Sequence, residues 1–293
     1  MANLKEVRTR IESVNSTRQI TSAMKMVAAS KLRKAQNSIT TMRPYAAKLR
    51  ELLQNLSGSL ANTGQDKLTV VRPEENILIV PVTSNRGLCG AFNANVIRYT
   101  VKLIAERYAE QQQKGQLSLL CIGKKGEEFF RGRGYQLIGS ETHIFDTLDF
   151  DHVSPIAEQL IRQFEEARFD KIIFVYNQFR NAGSQVLTEE QFLPIALPES
   201  NIEDNWNQTQ YIFEPDKQSI IEVLVPRILK MQVYKMLLDS FAAEHGARMI
   251  AMHKATDNAT EMLKELKLSY NKARQAAITK EILEIVGGAN ALG

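Results

Sequence analysis

The sequence predicts an α/β protein: a long antiparallel two-helix coiled coil formed by the N- and C-terminal helices, with an open α/β domain between them. Three observations carry that prediction. Residues 2–57 contain no glycine and one proline, Pro44. From about residue 76 to 195, short apolar runs alternate with amphipathic helical patterns, as in an open, mostly parallel sheet. After Pro215 the chain reads as helix again almost to its end. A chain of 293 residues is long enough for one large domain plus an extended element.

The first helix is expected over residues 1–58. Leu4, Val7, Ile11 and Val14 step by three, four and three, the spacing of a coiled-coil seam. The seam is then expected to move to Ile20, Met24 and Val27, which makes the heptad imperfect. An uninterrupted helix of this length would reach roughly 80 Å at 1.5 Å per residue, and Pro44 predicts a bend late in it. Within it, residues 20–36 read ITSAMKMVAASKLRKAQ, a stretch with Lys25, Lys31, Arg33 and Lys34 and no acid, glycine, proline or aromatic residue. Residues 1–50 hold eleven Lys or Arg against Glu6 and Glu12, a local +9; the net charge is +4, so the rest of the chain carries −5. A basic helix aimed at an acidic partner is the generic reading.

The α/β domain is expected over 70–200. NILIVPVTS (76–84), LSLLCIG (117–123) and KIIFVYNQF (171–179) are continuous apolar runs, the mark of buried strands. YQLIG (135–139) reads as a further strand, and SQVLTEEQFLPI (184–195) as an edge strand. Residues 94–113 and 152–169 have helical periodicity, and 124–134 reads as a short helix or turn. The connection LPESNIEDNWNQTQYIFEPD (197–216) is polar and rich in helix breakers. The last helix is expected over 210–293, with a break or kink at Pro226. Leu263, Leu266, Tyr270, Ala273 and Ala277 step by three and four along it. Helices of such length need a packed face to be stable in water, so the terminal helices are expected to pair with each other.

Several functions are disfavoured by the motifs. TSNRGLCGAFN follows a strand and opens a helix, as a phosphate-binding loop does. Its glycines, Gly87 and Gly90, match neither GxGxxG nor GxxxxGK[ST], and the second strand runs into lysines rather than a ribose-binding acid. His143, His152, His245 and His253 are scattered; His245 and His253 read as sharing a helical face but lack any metal-ligand motif. Cys89 and Cys121 form no paired motif and read as buried thiols. The N-terminus has no apolar signal core, and its early acids argue against a transit peptide. The basic arm lacks the interleaved aromatics of a nucleic-acid module. A nucleotide-dependent α/β enzyme with a coiled-coil adaptor arm is the alternative that these residues leave open.

The C-terminal segment SYNKARQAAITKEILEIVGGANALG ends on Ile278, Ile282, Leu283, Ile285 and Val286, apolar on more than one side of the helix. An exposed helix end of that kind is expected to insert into something.

Together with SNRGLCGAFN and RMIAMHKATDNATEMLKELKLSYNKARQAAITKEILEIVGGANAL, in order and at the expected spacing, ITSAMKMVAASKLRKAQ is similar to the gamma subunits of F-type ATP synthases. The resemblance covers essentially the whole chain. It implies a non-catalytic central-stalk rotor whose Rossmann-like α/β domain forms the foot. Such a rotor couples proton flow through the membrane ring to ATP synthesis in the alpha/beta hexamer. The partners implied are the alpha and beta subunits, the epsilon subunit and the c-ring; no cofactor, metal or nucleic acid is implied. Met24 and Lys25, then Arg274, Gln275, Thr279 and Glu281, match contacts to the beta subunit. Ile282, Ile285 and Val286 match the tip held in an apolar sleeve, and Tyr211, Phe213 and Glu214 match the foot segment that meets the c-ring. The paired-cysteine hairpin of chloroplast relatives has no counterpart here. Peripheral attachment to the cytoplasmic side of a bacterial plasma (inner) membrane is expected.

Overall fold

A computed structural model describes residues 4–60, 66–195 and 217–290. The chain divides into two compact units, one made of Met1–Ala29 with Arg248–Gly293 and the other of Ser30–Ala247.

The first unit is a pair of antiparallel helix segments, belonging to α1 (Leu4–Leu60) and to the last helix, α7 (Lys217–Asn290). Thr256 Oγ1 donates to Thr21 Oγ1 at 2.8 Å, and Lys25 Nζ lies 3.4 Å from His253 Nδ1. Towards the N-terminus of α1, Asn15 and Arg18 share a cavity wall with Thr260 and Leu263. Residue numbers rise on one helix as they fall on the other, so the two run antiparallel. In this register Leu4 falls opposite Arg274. The α7 helix continues for the sixteen residues from Gln275 to Asn290, about 24 Å.

The seam of this unit differs from the expected one. Ile20 and Val27 are 60% and 58% exposed, and Met24 is half-buried on the flank. The buried or half-buried row instead runs Val7, Ile11, Val14, Arg18, Thr21, Lys25, Ala28, an unbroken alternation of four and three. The heptad therefore never shifts; three of its positions are polar or charged, so an apolar-only reading loses the row there. On α7 the facing row is Met252, Thr256, Ala259, Leu263, Leu266, Tyr270 and Ala273, which includes the expected Leu263, Leu266, Tyr270 and Ala273. Ala277, the last of the expected row, is exposed.

The second unit contains the sheet. Its strands are β1 (Ile77–Pro81), β2 (Leu117–Ile122), β3 (Leu137–Glu141), β4 (Lys171–Asn181) and β5 (Ser184–Leu193), in the order β3-β2-β1-β4-β5. All neighbours are parallel except β4 and β5, which form an antiparallel hairpin with β5 at the edge. Helix α2 (Asp66–Thr69) precedes β1; α3 (Phe92–Arg107), α4 (Ala109–Gln113) and α5 (Lys124–Gly132) flank β2; α6 (Phe150–Glu165) leads into β4. Residues of β1 and β2 are buried throughout, which explains their unbroken apolar runs. One face of the sheet packs Ile77, Ile79, Leu119 and Val175 against Val96, Leu103 and Ile104 of α3 and Phe130 of α5. The other face packs Leu78, Val80, Phe174 and Tyr176 against α6 and against Val225, Leu229, Val233 and Met236 of α7. Within this unit α1 buries Leu32, Ala35, Ile39, Met42 and Leu49.

Helix α1 continues through Pro44 and past Gly58, and α7 continues through Pro226 without the expected break. A proline removes one backbone donor and crowds the preceding turn; here packing on both sides outweighs that penalty. Next to Pro226, Val225 and Leu229 are both in the core.

A close backbone approach joins β1 to α5. Gly123 has φ +95°, and a Cβ placed there would sit 2.7 Å from the Thr83 carbonyl carbon and closer still to its oxygen. The Thr83 hydroxyl donates to the Gly123 carbonyl at 3.2 Å and accepts from the Gly126 amide at 2.8 Å. Gly123→Ala combines a disfavoured φ with a backbone clash, and is expected to destabilise the chain by about 3 kcal/mol or more. Chemical unfolding checks this; an unchanged midpoint would refute the packing argument. In the coil, a double-mutant cycle of Thr21→Val and Thr256→Val is expected to return a coupling of about 1 kcal/mol. Thermal unfolding of the full chain, followed by its helical signal, measures it, and additive single effects would show that the hydroxyl pair contributes nothing.

Candidate functional site

The candidate contact residues fall on three parts of the chain. The first zone lies on α1 in the coil unit. Met24 and Lys25 are half-buried, while Met26 and Val27 next to them are 66% and 58% exposed. Lys25 occupies the seam row, with its ammonium beside His253; Asp257 Oδ2 lies 3.3 Å from the same His253 nitrogen. A cation, an imidazole and a carboxylate thus line one edge of the coil where apolar side chains are also exposed. Lys31, Arg33 and Lys34, in the other unit, are all exposed.

The second zone is on α7, where the register leaves it beyond the first described residue of α1. Arg274, Gln275, Thr279 and Glu281 are all exposed. Thr279 Oγ1 donates to the Gln275 carbonyl at 2.9 Å, one helical turn back, and Lys280 pairs with Glu284 at 3.5 Å. Ile282, Ile285 and Val286 are 54%, 66% and 50% exposed, with Ile278 and Leu283 exposed beside them. A patch of large aliphatics around a helix end is unfavourable in water, at roughly 25 cal/mol per Å² of apolar surface left unburied. The end of α7 is apolar and exposed, as the sequence reads.

The third zone, Tyr211, Phe213 and Glu214, lies outside the described residues. The structure therefore brings Met24 and Lys25 together on one helix, and the Arg274–Val286 group together on the other. The antiparallel register separates the two zones along the same coil.

The glycine turn after β1 is braced by side-chain hydrogen bonds. Asn93 Oδ1 accepts from the Ser84 amide at 2.9 Å, and Ser84 Oγ donates to the Arg86 carbonyl at 2.7 Å. Leu88 and Gly90 have φ of +62° and +61°. In open α/β sheets a ligand binds where neighbouring strands send their connections to opposite faces. In the strand order β1 and β4 are neighbours on either side of the reversal, and beyond the carboxyl end of β1 the chain packs on itself. Cys89 and Phe92 of the turn pack on Ala243 of α7, and Asn177 of β4 donates to the Phe92 carbonyl at 3.1 Å. Beside it, Gly246 lies so close to the β4–β5 hairpin that a Cβ would come 2.9 Å from the Ala182 carbonyl oxygen.

The remaining chemistry-bearing residues are dispersed. No group of three His, Cys, Asp or Glu able to hold a metal ion occurs among the described residues. His245 is buried and His253 is exposed; eight residues at 100° each leave them about 80° apart around the helix. Both cysteines are buried thiols, and burial pushes Cys121 up to about 12, which leaves it inert at neutral pH. Sequence reasoning missed the Thr21–Thr256 pair and the Lys25–His253–Asp257 edge. The signal for both was the unbroken four-three count through Arg18, Thr21 and Lys25.

Comparison with known proteins places this architecture. The family model described as ATP synthase matches residues 3–292. The ATP synthase gamma chain of Flavobacterium psychrophilum is 55% identical over 292 residues, covering 100% of this chain and 99% of that one. The gamma chain of Chloroherpeton thalassium is 48% identical with the same coverage. Among solved structures, a chain of the Tetrahymena thermophila mitochondrial ATP synthase central stalk and c-ring superposes with TM-score 0.61 at 28% identity, covering 80% of this chain and 99% of that one. A chain of the Euglena gracilis mitochondrial ATP synthase shares the fold, with TM-score 0.70 at 23% identity, over 99% of this chain and 94% of that one. With a whole-length match and relatives at this identity, the chain belongs to the ATP synthase gamma-chain family.

Proposed function

We propose that this chain is the central-stalk rotor subunit of an F-type ATP synthase. It couples proton flow through the c-ring to the conformational changes of the alpha/beta hexamer. The observation that carries the reading is the end of α7, which continues beyond the first described residue of α1 and exposes Ile282, Ile285 and Val286. Exposed apolar patches of this kind mark interaction sites, and a sleeve around the helix end would bury it. In this reading the three aliphatics form the tip held by the hexamer. Arg274, Gln275, Thr279 and Glu281 contact the beta subunits just below it, and Met24 and Lys25 contact a beta-subunit lever further down. Tyr211, Phe213 and Glu214 belong to the foot that meets the c-ring, with the epsilon subunit alongside.

The chain has no bond chemistry of its own in this role. The packing of Cys89 and Phe92 on Ala243 beyond the end of β1 supports that reading against a nucleotide-dependent enzyme. Coupling requires only that each orientation of the rotor favour a different beta-subunit conformation through unequal contact free energies. No helix among the described residues is long and apolar enough to cross a membrane. The chain would thus be held at the cytoplasmic face of a bacterial plasma membrane through the complex.

Affinity purification tests the assignment: alpha and beta chains are expected at three copies each per copy of this chain, and their absence would overturn it. Met24→Lys adds a second cation beside Lys25, and is expected to lower protons pumped per ATP hydrolysed by at least about twofold while assembly persists. Normal pumping stoichiometry in the assembled variant would remove Met24 from the contact. The pair Arg274→Ala with Gln275→Ala is expected to lower turnover in synthesis and hydrolysis about tenfold, the equivalent of about 1.4 kcal/mol of lost contact energy. Unchanged rates in an assembled complex would refute that role.

A further inference from the structure

In the coil, a cation and a carboxylate converge on one ring nitrogen. Lys25 Nζ of α1 lies 3.4 Å from His253 Nδ1, and Asp257 Oδ2, one turn along α7, lies 3.3 Å from the same atom. Lys25 is half-buried in the seam row, and among the described residues the imidazole is the polar partner of its ammonium. The coil unit is made of one segment of each terminal helix. The charged groups that face the ring are Lys25 from α1 and Asp257 from α7; Lys254, next to it in the chain, is exposed.

One ring nitrogen cannot serve both neighbours at once. In the neutral ring with its proton on Nε2, Nδ1 is an acceptor and takes a hydrogen bond from the Lys25 ammonium. In the protonated ring Nδ1 carries a hydrogen and donates. That suits the Asp257 carboxylate and sets two like charges side by side at Lys25. Among lysine, histidine and carboxylate side chains, imidazole is the one whose charge ordinarily changes between about pH 5 and 8. We propose that His253 is a proton-operated clasp between the two helices. Neutral, it ties Lys25 across the coil; protonated by solvent at Nδ1, it turns to Asp257 on its own helix and releases the lysine. One turn back along α1, the Thr21–Thr256 hydroxyl pair contains no titrating group and holds the alignment in either state. The clasp thus changes what the coil presents at Lys25 without sliding one helix along the other. All three groups belong to this chain, so the proposal stands independently of the rotor reading.

Double-mutant cycles on the full chain test it, read from thermal unfolding at about pH 8 and about pH 5. The coupling between Lys25→Met and His253→Leu is expected to favour the folded coil at the higher pH and to vanish or reverse sign at the lower. The coupling between His253→Leu and Asp257→Asn is expected to move the other way and strengthen in acid. Thr21→Val with Thr256→Val should couple equally at both. A second measurement needs no unfolding. Acylation of the Lys25 amine, relative to that of the exposed Lys31, should rise as the pH falls from about 8 to about 6. The rise should be lost in His253→Gln, whose amide offers an acceptor and a donor at either pH. A Lys25–His253 coupling that is equal at the two pH values, or that changes in step with the Thr21–Thr256 coupling, would overturn the proposal. So would a relative acylation of Lys25 that stays constant with pH, or one that rises as much in His253→Gln.

Discussion

Everything in this chain depends on one constraint: very long helices cannot be stable in water unless each buries a continuous face. Helix α1 has 57 residues and α7 has 74. In the coil unit the face is a heptad row on each helix, and the two rows meet in antiparallel register at Thr21 and Thr256. In the other unit, α7 buries Val225, Leu229, Val233 and Met236 in the core of the sheet. That single helix therefore serves two kinds of packing along its length.

The row is not uniformly apolar, and its exceptions have consequences. Arg18, Thr21 and Lys25 occupy successive seam positions on α1. A seam of leucines would have been stickier and less selective about register; a polar rung specifies one alignment at some loss of stability. Alignment matters to the proposed contacts because the two candidate zones lie on different helices. A slip of α1 against α7 by one heptad would move Met24 relative to Arg274 by about 10 Å. Of these rungs Arg18 also lines a cavity between the two helices.

The sheet makes the complementary point. In its strand order β1 and β4 are neighbours on either side of the reversal, and beyond the end of β1 Phe92 and Cys89 pack on Ala243. Small residues make this possible: Ala243 and Gly246 let α7 approach the turn and the β4–β5 hairpin closely. That end of the sheet is here a seat for the chain's own helix, and fold by itself does not assign function. The Thr83 hydroxyl, bridging β1 to the start of α5, holds the same end of the sheet rigid.

The sequence by itself determined the element types, the alternation of strands and helices, the two long terminal helices and the apolar tip. Each of these is set by local periodicity and composition, which one chain displays directly. Its own residues also carried the family resemblance. Tertiary structure alone decided the strand order, the antiparallel β5, the persistence of both helices through Pro44 and Pro226, and the seam through Arg18, Thr21 and Lys25. These depend on which surfaces meet. A lysine in the seam and a lysine facing solvent read alike in sequence, and only the helix lying opposite distinguishes them. The same holds for Ile20 and Val27, aliphatic residues that a pattern assigns to the interior and that this coil turns outward, toward whatever surrounds it.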